Sequence, residues 1–432
     1  MTSAVPSSPY STHPEIEKAW TAYTDHVKEW FFNPDLEAVR ITLAAAASHF
    51  HKDCDPLWLF ILGPSSGDKT SLCINSLLDL SQVHMKGDIT SKTFLSGYTG
   101  TAHPSLLHQI GSGILAFKDF TTFMSKRAEE QSEIASQLRE IYDGSFAKDT
   151  GKGVSIKWVG KITVIAAATP ALERAWSSRR DLGERFLQVR ISRKDGMQQS
   201  EFAQRQRGKE DFISSTMRRL ALAFFSHSNP SITNPPPRLI PTDMSRVAAM
   251  SEIVSHCRGA VPRHQITNAI CDLPQIENSG RMSKALASLI SNHAALFRRT
   301  EIIEEDIKVG RRVALNTIPA TRSLIIDSIP LEGAISTDRL QLVTGLPEST
   351  ISYIVGDLEA LGVVRVQHNA VIANEITLTP LIARLWRQAF VTITDYSSQV
   401  PQAPQSPQAP QIQIQPQSHQ SPQPRPKATD PN

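Results

Sequence analysis

The segment LFILGPSSGDKTSL, which begins at residue 59, runs from an apolar stretch into a loop of small residues. Most of the pattern G-x-x-x-x-G-K-[ST] is present, in Gly63, Gly67, Lys69 and Thr70, and Asp68 stands at the position of the second glycine. Backbone N–H groups of such a loop face phosphates, its lysine meets the outer phosphates, and its hydroxyl holds Mg²⁺. LWLFIL before the loop is typical of a buried strand, and SLCINSLLDL after it is typical of a helix. The segment therefore predicts an α/β fold with a site for ATP and Mg²⁺.

Asp68 is the unusual residue of this loop. We expect the nucleotide to contact Gly63, Pro64, Ser65, Ser66, Gly67, Asp68, Lys69, Thr70 and Ser71. Aspartate tolerates unusual backbone angles, but its carboxylate brings a like charge to the triphosphate. Two such charges ~6 Å apart repel by roughly 1–3 kcal/mol at an effective dielectric of ~20–40. Mg²⁺, Lys69 and rotation of the side chain toward solvent would absorb part of this repulsion, so Asp68→Gly is expected to tighten ATP binding by roughly three- to thirty-fold.

The composition gives no global preference for nucleic acid. The 432 residues include 45 Lys and Arg against 42 Asp and Glu, so the formal charge is only +3 and any basic site must be local. The four cysteines form no CxxC pair and have no histidine at metal-ligand spacing, which supports neither a disulfide framework nor a zinc site. No stretch approaches the ~18 apolar residues of a membrane span, and we expect a cytoplasmic protein with no membrane partner.

Composition and periodicity divide the chain into segments. Strand-like and helical patterns alternate between residues 57 and 169, which is typical of a parallel sheet flanked by helices. NPSITNPPPRLIP interrupts every periodic pattern, and the C-terminal region is rich in Pro and Gln with almost nothing to bury. We predict a helical lead-in at 1–54, an α/β core at 55–228, a Pro-rich linker at 229–240, a helical domain at 241–319, a winged helix at 320–395 and a disordered Pro/Gln-rich tail at 396–432.

The predicted winged helix has a third helix with two distinct faces. Its apolar residues share one face and are expected in the core: Ile351, Ile354, Val355, Leu358 and Leu361. Its polar face carries Glu348, Asp357 and Glu359 and no Lys or Arg, so phosphates would be repelled along part of it. The module is therefore compatible with DNA binding and, equally, with contacts to a protein partner.

Three further segments follow the loop in a fixed order: IGSGILAFKDF, then QLREIYDGSFAKDTGKGVSIKWVGKITVIAAATP, then LGERFLQVRI. With the loop, they resemble the AAA+ P-loop ATPases, in particular the MCM-like branch of replicative helicases and related ATP-binding proteins of phages and mobile elements. The resemblance covers about residues 55–195 and continues more weakly to residue 319. It implies an AAA+ ATPase core with an α-helical lid, ATP and Mg²⁺ as ligands, and a ring-shaped homo-oligomer, a hexamer, acting on DNA.

The resemblance assigns catalytic roles by position. Asp119 ends the Walker B strand GILAFKDF, where it would act on Mg²⁺ together with Thr70, or on the attacking water. The family usually has two adjacent acids here, whereas this chain has KDF. Slow hydrolysis, or a base supplied from elsewhere, is the expected consequence. The candidates for that base are Glu129, Glu130 and Glu140.

Three other residues match positions that sense or stabilise the γ-phosphate in the family. Thr169 is at the sensor-1 position, although a threonine before a proline also suits an ordinary turn. Arg185 in GERF matches the arginine finger that reaches a neighbouring subunit, with Arg179 and Arg180 as alternatives. Arg281 resembles the sensor-2 arginine of the lid, and an exposed arginine at a helix start is the other interpretation.

The segment SFAKDTGKGVSIKWVGK predicts a hairpin with a DTGKG turn. In the resembled helicases a hairpin here grips the DNA backbone, which makes Lys148 and Lys152 the predicted DNA contacts, with Lys157 and Lys161 further along. Lysine is also common in turns that bind nothing.

Together these features predict an ATP-hydrolysing motor acting on DNA, as a replicative helicase or a helicase-like initiator or loader of a phage or mobile element. Two alternatives are a MoxR-like ATPase that remodels proteins and a nucleotide-dependent switch with slow hydrolysis. The winged helix or the tail would offer a surface for a protein partner.

Overall fold

A computed structural model of the chain describes residues 13–51, 54–65, 67–95, 105–149, 155–176, 185–230, 235–264, 266–368 and 374–390. Several predicted features lie outside these residues, namely Ser66, Lys152, Arg179, Arg180 and the tail at 396–432. Within the described part of the chain, no helix is both long and apolar enough to cross a membrane.

The helices are α1 Pro14–Trp30, α2 Leu36–Ala47, α3 Leu106–Ile110, α4 Ala128–Tyr142, α5 Ala171–Trp176, α6 Gly196–Gln206, α7 Glu210–Ser228, α8 Pro241–Arg258, α9 Gly280–Leu296, α10 Glu304–Thr317, α11 Ala320–Ser328, α12 Thr337–Thr344, α13 Glu348–Ala360 and α14 Pro380–Phe390. The strands are β1 Trp58–Leu62, β2 Val83–Lys86, β3 Gly113–Phe117, β4 Ser145–Asp149, β5 Ser155–Val159, β6 Ile162–Ala168, β7 Phe186–Arg190, β8 Ile335–Ser336, β9 Val364–Gln367 and β10 Glu375–Leu378.

Five strands form a parallel sheet in the order β2-β3-β6-β1-β7. The register aligns Leu62 at the end of β1 with Ala168 of β6 and Arg190 of β7. All carboxyl ends therefore meet at one edge, the carboxyl edge, and all strands begin at the opposite, amino edge. The predicted α/β fold with a parallel sheet is confirmed.

Both faces of this sheet are covered, which explains why β1 reads as an unbroken apolar run. Leu59 and Ile61 belong to a core cluster that also holds residues of α2, α7 and α9. Trp58, Phe60 and Leu62 point to the other face, into a second cluster with residues of α4. Because side chains of a strand alternate between faces, a central strand buried on both sides has no polar position.

The segment after the loop is helical, as predicted, but it is not a regular α-helix. Lys69–Ile74 forms a π-helix and Asn75–Leu77 continues as a 3₁₀ helix. Contacts with α7 hold this segment, because the Asn75 amide donates to the Ser214 carbonyl (3.3 Å) and accepts from the Ser214 hydroxyl (3.0 Å). These tertiary contacts are 139 residues apart in sequence, so local periodicity carries no signal of them.

The predicted hairpin is present as the antiparallel pair β4 and β5, which forms a sheet of its own. Phe146 and Trp158, which face each other across the pair, are both buried. The Trp158 indole N–H also donates to the Gly111 carbonyl at 2.7 Å. The base of the hairpin is thus fixed to the core.

After α7, the described residues form the helices α8 to α14 and one small antiparallel sheet, β8-β10-β9. Residues 320–378 run helix, strand, helix, helix, strand, strand. The apolar face of α13 is buried as predicted, at Ile351, Ile354, Val355, Leu358 and, just after the helix, Leu361.

Candidate functional site

The carboxyl edge of the parallel sheet collects residues from four strands. Gly63 directly follows β1 and Thr169 directly follows β6, whereas one residue separates Asp119 from the end of β3. Lys194 lies in the short connection between β7 and α6. Open α/β sheets bind ligands outside the carboxyl ends of their strands, so this edge is the candidate site.

The loop after β1 is held by its own backbone. The Gly63 N–H donates to the Ala168 carbonyl of β6 (3.2 Å), and the Gly67 N–H donates to the Pro64 carbonyl (3.1 Å). A Cβ on Gly67 would lie 2.8 Å from that same carbonyl oxygen, so the close turn requires glycine.

Lys69 lies within the curve of this loop. Its ammonium donates to the carbonyls of Gly63 (2.9 Å) and Pro64 (2.6 Å), and the residue is buried. Burial lowers the pKa of Lys69 below its usual value, while the negative charges of Asp119 and Asp68 oppose this shift. The predicted lysine, the loop and the Walker B-like aspartate are therefore close enough to interact electrostatically.

Asp68 has a partner that the sequence does not indicate. It adopts a left-handed backbone conformation (φ 63°), which the sequence argument allowed for aspartate. Its carboxylate lies 2.6 Å from the Lys194 ammonium, and the side chains are only 15% and 9% exposed, respectively. Mg²⁺, Lys69 and solvent are the compensation that the sequence leads us to expect for this carboxylate, whereas its direct partner in the structure is Lys194. The available signal was the basic pair Arg193 and Lys194, shortly after the last strand of the sheet.

Asp119 and Thr169 are brought together by a residue that was not predicted, Thr121. The Asp119 carboxylate accepts from the Thr121 N–H (2.8 Å). The Thr121 hydroxyl in turn accepts from the Thr169 N–H (3.0 Å) and lies 3.3 Å from the Thr169 hydroxyl. The Thr70 hydroxyl donates to the Lys118 carbonyl at 3.1 Å, which places the loop beside the end of β3.

The three glutamates considered as bases all lie on α4. Glu130 is 3.7 Å from the Lys126 ammonium. None of the three lines the cavity beside the loop, and neither do Asp119 and Thr169. Of the described residues that do line it, Asp68 and Glu210 carry carboxylates.

That cavity has a volume of about 770 Å³. The loop and the β7–α6 connection supply its polar wall, with Lys69, Arg193 and Lys194. The connection between α1 and α2 and the helices α6 and α7 supply an apolar wall, which includes Phe32 and Phe202 with ring centroids 5.8 Å apart. This combination of a mostly apolar wall with a few charged groups is common in ligand sites of this size.

Two other predicted residues lie at the amino edge. Arg185 immediately precedes β7; its side chain is 9% exposed, 3.8 Å from the Asp143 carboxylate and 5.4 Å from the Tyr142 ring centroid. Burial raises the pKa of Tyr142 to about 12, and the positive charges of Arg281 and Arg185 act against that rise. Arg281 therefore shares the surroundings of Tyr142 with Arg185, and it does not line the cavity described above.

The lysines of the hairpin region differ in their surroundings. Lys148 on β4 lies 3.7 Å from the Glu133 carboxylate of α4, and both side chains are partly exposed. Lys161 donates to the carbonyls of Ser48 (2.7 Å) and His51 (2.9 Å). Lys161 thus anchors the start of β6, and its ammonium is engaged with these two carbonyls.

The polar face of α13 also differs from the prediction. Asp357 is buried, and its two oxygens accept from Arg263 Nε and an Arg322 guanidinium N–H, both at 2.9 Å. Its charge is neutralised inside the protein, so Asp357 does not repel phosphates. Tyr353 remains exposed beneath the Arg263 guanidinium, 4.0 Å from its ring centroid.

The fold and this edge define the class of the chain as an α/β protein with a glycine-containing loop at the carboxyl edge of a five-stranded parallel sheet. No protein-family model matches the sequence, and a search of curated proteins found no match. Among solved structures it is similar to a full-length MCM homolog from Methanopyrus kandleri, with 14% identity and a TM-score of 0.41. The match covers 72% of this chain and 62% of that homolog. At these values the likeness supports no functional assignment, which rests instead on the geometry of the site.

Proposed function

We propose that this chain is an ATP-hydrolysing motor of the AAA+ type that acts on DNA. The observation that carries the proposal is the meeting of Lys69, Thr70 and Asp119 at the carboxyl edge, although they follow two different strands. A lysine, a hydroxyl and a carboxylate beside a glycine-containing loop suit phosphates and Mg²⁺.

The cavity fits a nucleoside triphosphate in size and polarity. Phosphates would lie against the loop and Lys69, and the base against the apolar wall that contains Phe32 and Phe202. Aromatic faces suit a purine, and a volume of about 770 Å³ is within the usual range for small-ligand sites. No described residue in that wall suggests a preference among bases.

The Thr70 hydroxyl and the Asp119 carboxylate would hold Mg²⁺, which neutralises charge on the phosphates when it is bound. Among the described residues, no group of three or more His, Cys, Asp or Glu side chains forms a metal cage. Mg²⁺ usually takes one or two protein oxygens and completes its shell with phosphates and water, so Thr70 and Asp119 would be sufficient ligands from this chain.

Thr121 joins Asp119 and Thr169 at the ends of β3 and β6, and we propose that the two residues orient a water molecule there. Arg185 would stabilise the charge that develops on the transferred phosphoryl group, but in the cavity of another subunit. Arg185 directly precedes β7, which has five residues. At ~3.3 Å per residue, Arg185 therefore lies about 16 Å from the carboxyl edge of its own chain. We therefore propose a ring-shaped homo-oligomer, a hexamer.

The DNA contact is proposed for the β4–β5 hairpin, which stands apart from the main sheet and carries Lys148. Lys152 lies in its turn by sequence. Rings of such lysines in an oligomer would follow a phosphate backbone. A replicative helicase, or a helicase-like initiator or loader of a phage or mobile element, is the activity that this combination suits.

A second candidate is a nucleotide-dependent switch with slow hydrolysis. Lys118 precedes Asp119 where the resembled family has a second acid. Of the three glutamates on α4 that could replace that acid, Glu130 is already paired with the Lys126 ammonium at 3.7 Å.

The test is ATP hydrolysis by the full chain with no DNA, with single-stranded DNA and with double-stranded DNA. The motor predicts turnover that rises with DNA. Turnover that DNA leaves unchanged would favour a remodeller of proteins, and ATP binding with negligible turnover would favour the switch.

A further inference from the structure

Asp68 and Lys194 form an ion pair between two segments that both line the cavity. Asp68 belongs to the loop after β1, and Lys194 directly precedes Asp195, whose carboxylate caps α6 through the Met197 and Gln198 N–H groups. The ion pair therefore connects the loop to the start of α6. Neither residue contributes to the chemistry described so far.

We propose that Lys194 is a positioning residue of the nucleotide site, which neutralises Asp68 and thereby allows a loop with an aspartate at this point to accept a triphosphate. This inference rests on the proposed function. It makes the two residues one unit, in which the main effect of the lysine is to neutralise the aspartate.

The surrounding charges support Lys194 over Lys69 as the partner of Asp68. The Lys69 ammonium is engaged with two carbonyl oxygens of the loop, and the charge of Asp119 influences it more than that of Asp68. The Lys194 ammonium touches the Asp68 carboxylate directly, in surroundings that exclude most water. Arg193 and Lys118 also line the cavity, and no ion pair of either with Asp68 is seen among the described contacts.

Partial burial makes this pairing matter. Screening by water weakens an exposed ion pair, but these side chains are mostly shielded, so removal of the lysine leaves a carboxylate that water solvates poorly. A negative charge at ~6 Å from a triphosphate lowers affinity by roughly ten- to a hundred-fold at an effective dielectric of ~20–40.

The experiment is a double-mutant cycle on the full chain, with Kd for a fluorescent ATP analogue as the readout. Lys194→Gln should weaken binding about tenfold, since Asp68 then faces the triphosphate unpaired. Asp68→Asn should tighten binding about threefold, because it releases the lysine charge. The double variant Asp68→Asn with Lys194→Gln should return to within about threefold of the original affinity.

Two controls separate charge from folding. Lys194→Arg keeps the positive charge and should bind as the unmodified chain does. Lys126→Gln breaks a Lys–Asp pair of similar length with Asp88 (2.9 Å) that does not line the cavity, and it should leave Kd unchanged. The loss in Lys194→Gln should also shrink at high salt, because salt screens the repulsion. Thermal unfolding of every variant reports whether it is folded.

Rescue by the double variant supports the proposal. A double variant as weak as Lys194→Gln would mean that Lys194 binds the phosphates itself, and this result overturns it. Unchanged affinity in Lys194→Gln, or weaker binding in Asp68→Asn, overturns it too. If the unmodified chain binds no nucleotide, the proposed function fails. If the unmodified chain binds nucleotide, Lys69→Ala abolishes that binding and the double variant shows no rescue, only this inference fails.

Discussion

The two edges of the parallel sheet carry different parts of the predicted chemistry. The carboxyl edge holds the loop with Lys69, and beside it Asp119 and Thr169. The amino edge holds Arg185 packed against Tyr142, with the charge of Arg281 nearby. Binding groups and the proposed arginine finger are therefore separated by the full length of the strands.

This separation has a direct consequence for how the chain works. One chain can position the phosphates at its carboxyl edge, but it cannot bring its own Arg185 there. A heterologous, head-to-tail contact that sets the amino edge of one copy against the carboxyl edge of the next would complete every site and close into a ring. In the proposed function, hydrolysis belongs to the assembly, whereas nucleotide binding belongs to the single chain.

Substitution of Arg185 is expected to have the largest effect. Arg185→Ala should lower the rate of ATP hydrolysis by on the order of 10³, because an arginine finger supplies about that much in phosphoryl transfer. The affinity for ATP should stay within about threefold, since the residue is far from its own cavity. Steady-state hydrolysis and equilibrium binding measure the two quantities.

A matched arginine gives the control for that prediction. Arg218 lies 3.8 Å from Asp79, the same separation as between Arg185 and Asp143, and it does not line the cavity. Arg218→Ala should leave hydrolysis unchanged. A loss of ATP binding in Arg185→Ala would mean that Arg185 at the amino edge also takes part in binding, which contradicts the proposed division between the two edges.

Lys69→Ala tests the carboxyl edge and should lower hydrolysis by on the order of 10², the scale found when a preorganised group facing developing charge is removed. In contrast to Arg185→Ala, it should also abolish binding of the fluorescent ATP analogue by the isolated chain. Lys308→Ala, on the exposed side of α10, is the control. Unchanged ATPase activity in Lys69→Ala would remove the assignment of the loop.

The hairpin belongs to neither edge, and its substitution should affect only the response to DNA. Lys148→Ala with Lys152→Ala should reduce the DNA-stimulated part of hydrolysis. On single-stranded DNA, the log–log slope of affinity against salt should become shallower by about 0.7 for each phosphate that is no longer neutralised. Because Lys148 already pairs with Glu133, we expect Glu133→Gln to strengthen DNA binding slightly. Stimulation that persists undiminished would place the DNA-binding surface elsewhere.

Arg281→Ala should give the smallest effect. If Arg281 acts with Arg185 at the amino edge, its removal should slow hydrolysis about fivefold, which corresponds to about 1 kcal/mol of charge stabilisation. ATP affinity of the isolated chain should not change. Weaker ATP binding by the isolated Arg281→Ala chain would mean that Arg281 acts at the cavity of its own chain, as a lid residue.

Much of the fold can be predicted from the sequence, because each buried parallel strand is a continuous run of apolar residues. WLFIL, GILAF and ITVIAAA are such runs, and each strand forms where its run lies. The hairpin and the buried face of α13 are predictable for the same reason, since alternation and helical period are local signals.

The missed features are long-range pairings of charged residues. Lys194 meets Asp68 across 126 positions of sequence, and Arg263 meets Asp357 across 94. No periodicity connects such partners, so an aspartate that is neutralised looks the same in sequence as one that repels phosphate. The edge to which Arg185 belongs is equally invisible until the direction of β7 relative to β1 is known.

The most direct test of the shared site is a mixture of two inactive variants, Lys69→Ala and Arg185→Ala, assembled together and assayed for ATP hydrolysis. A site is complete where a chain that keeps Lys69 lies next to a neighbour that keeps Arg185. In a random equimolar ring, about a quarter of the sites meet this condition. The proposal predicts that the mixture recovers about that fraction of the original activity. Activity no greater than the average of the two variants alone would contradict it, because it would mean that both residues must belong to one chain.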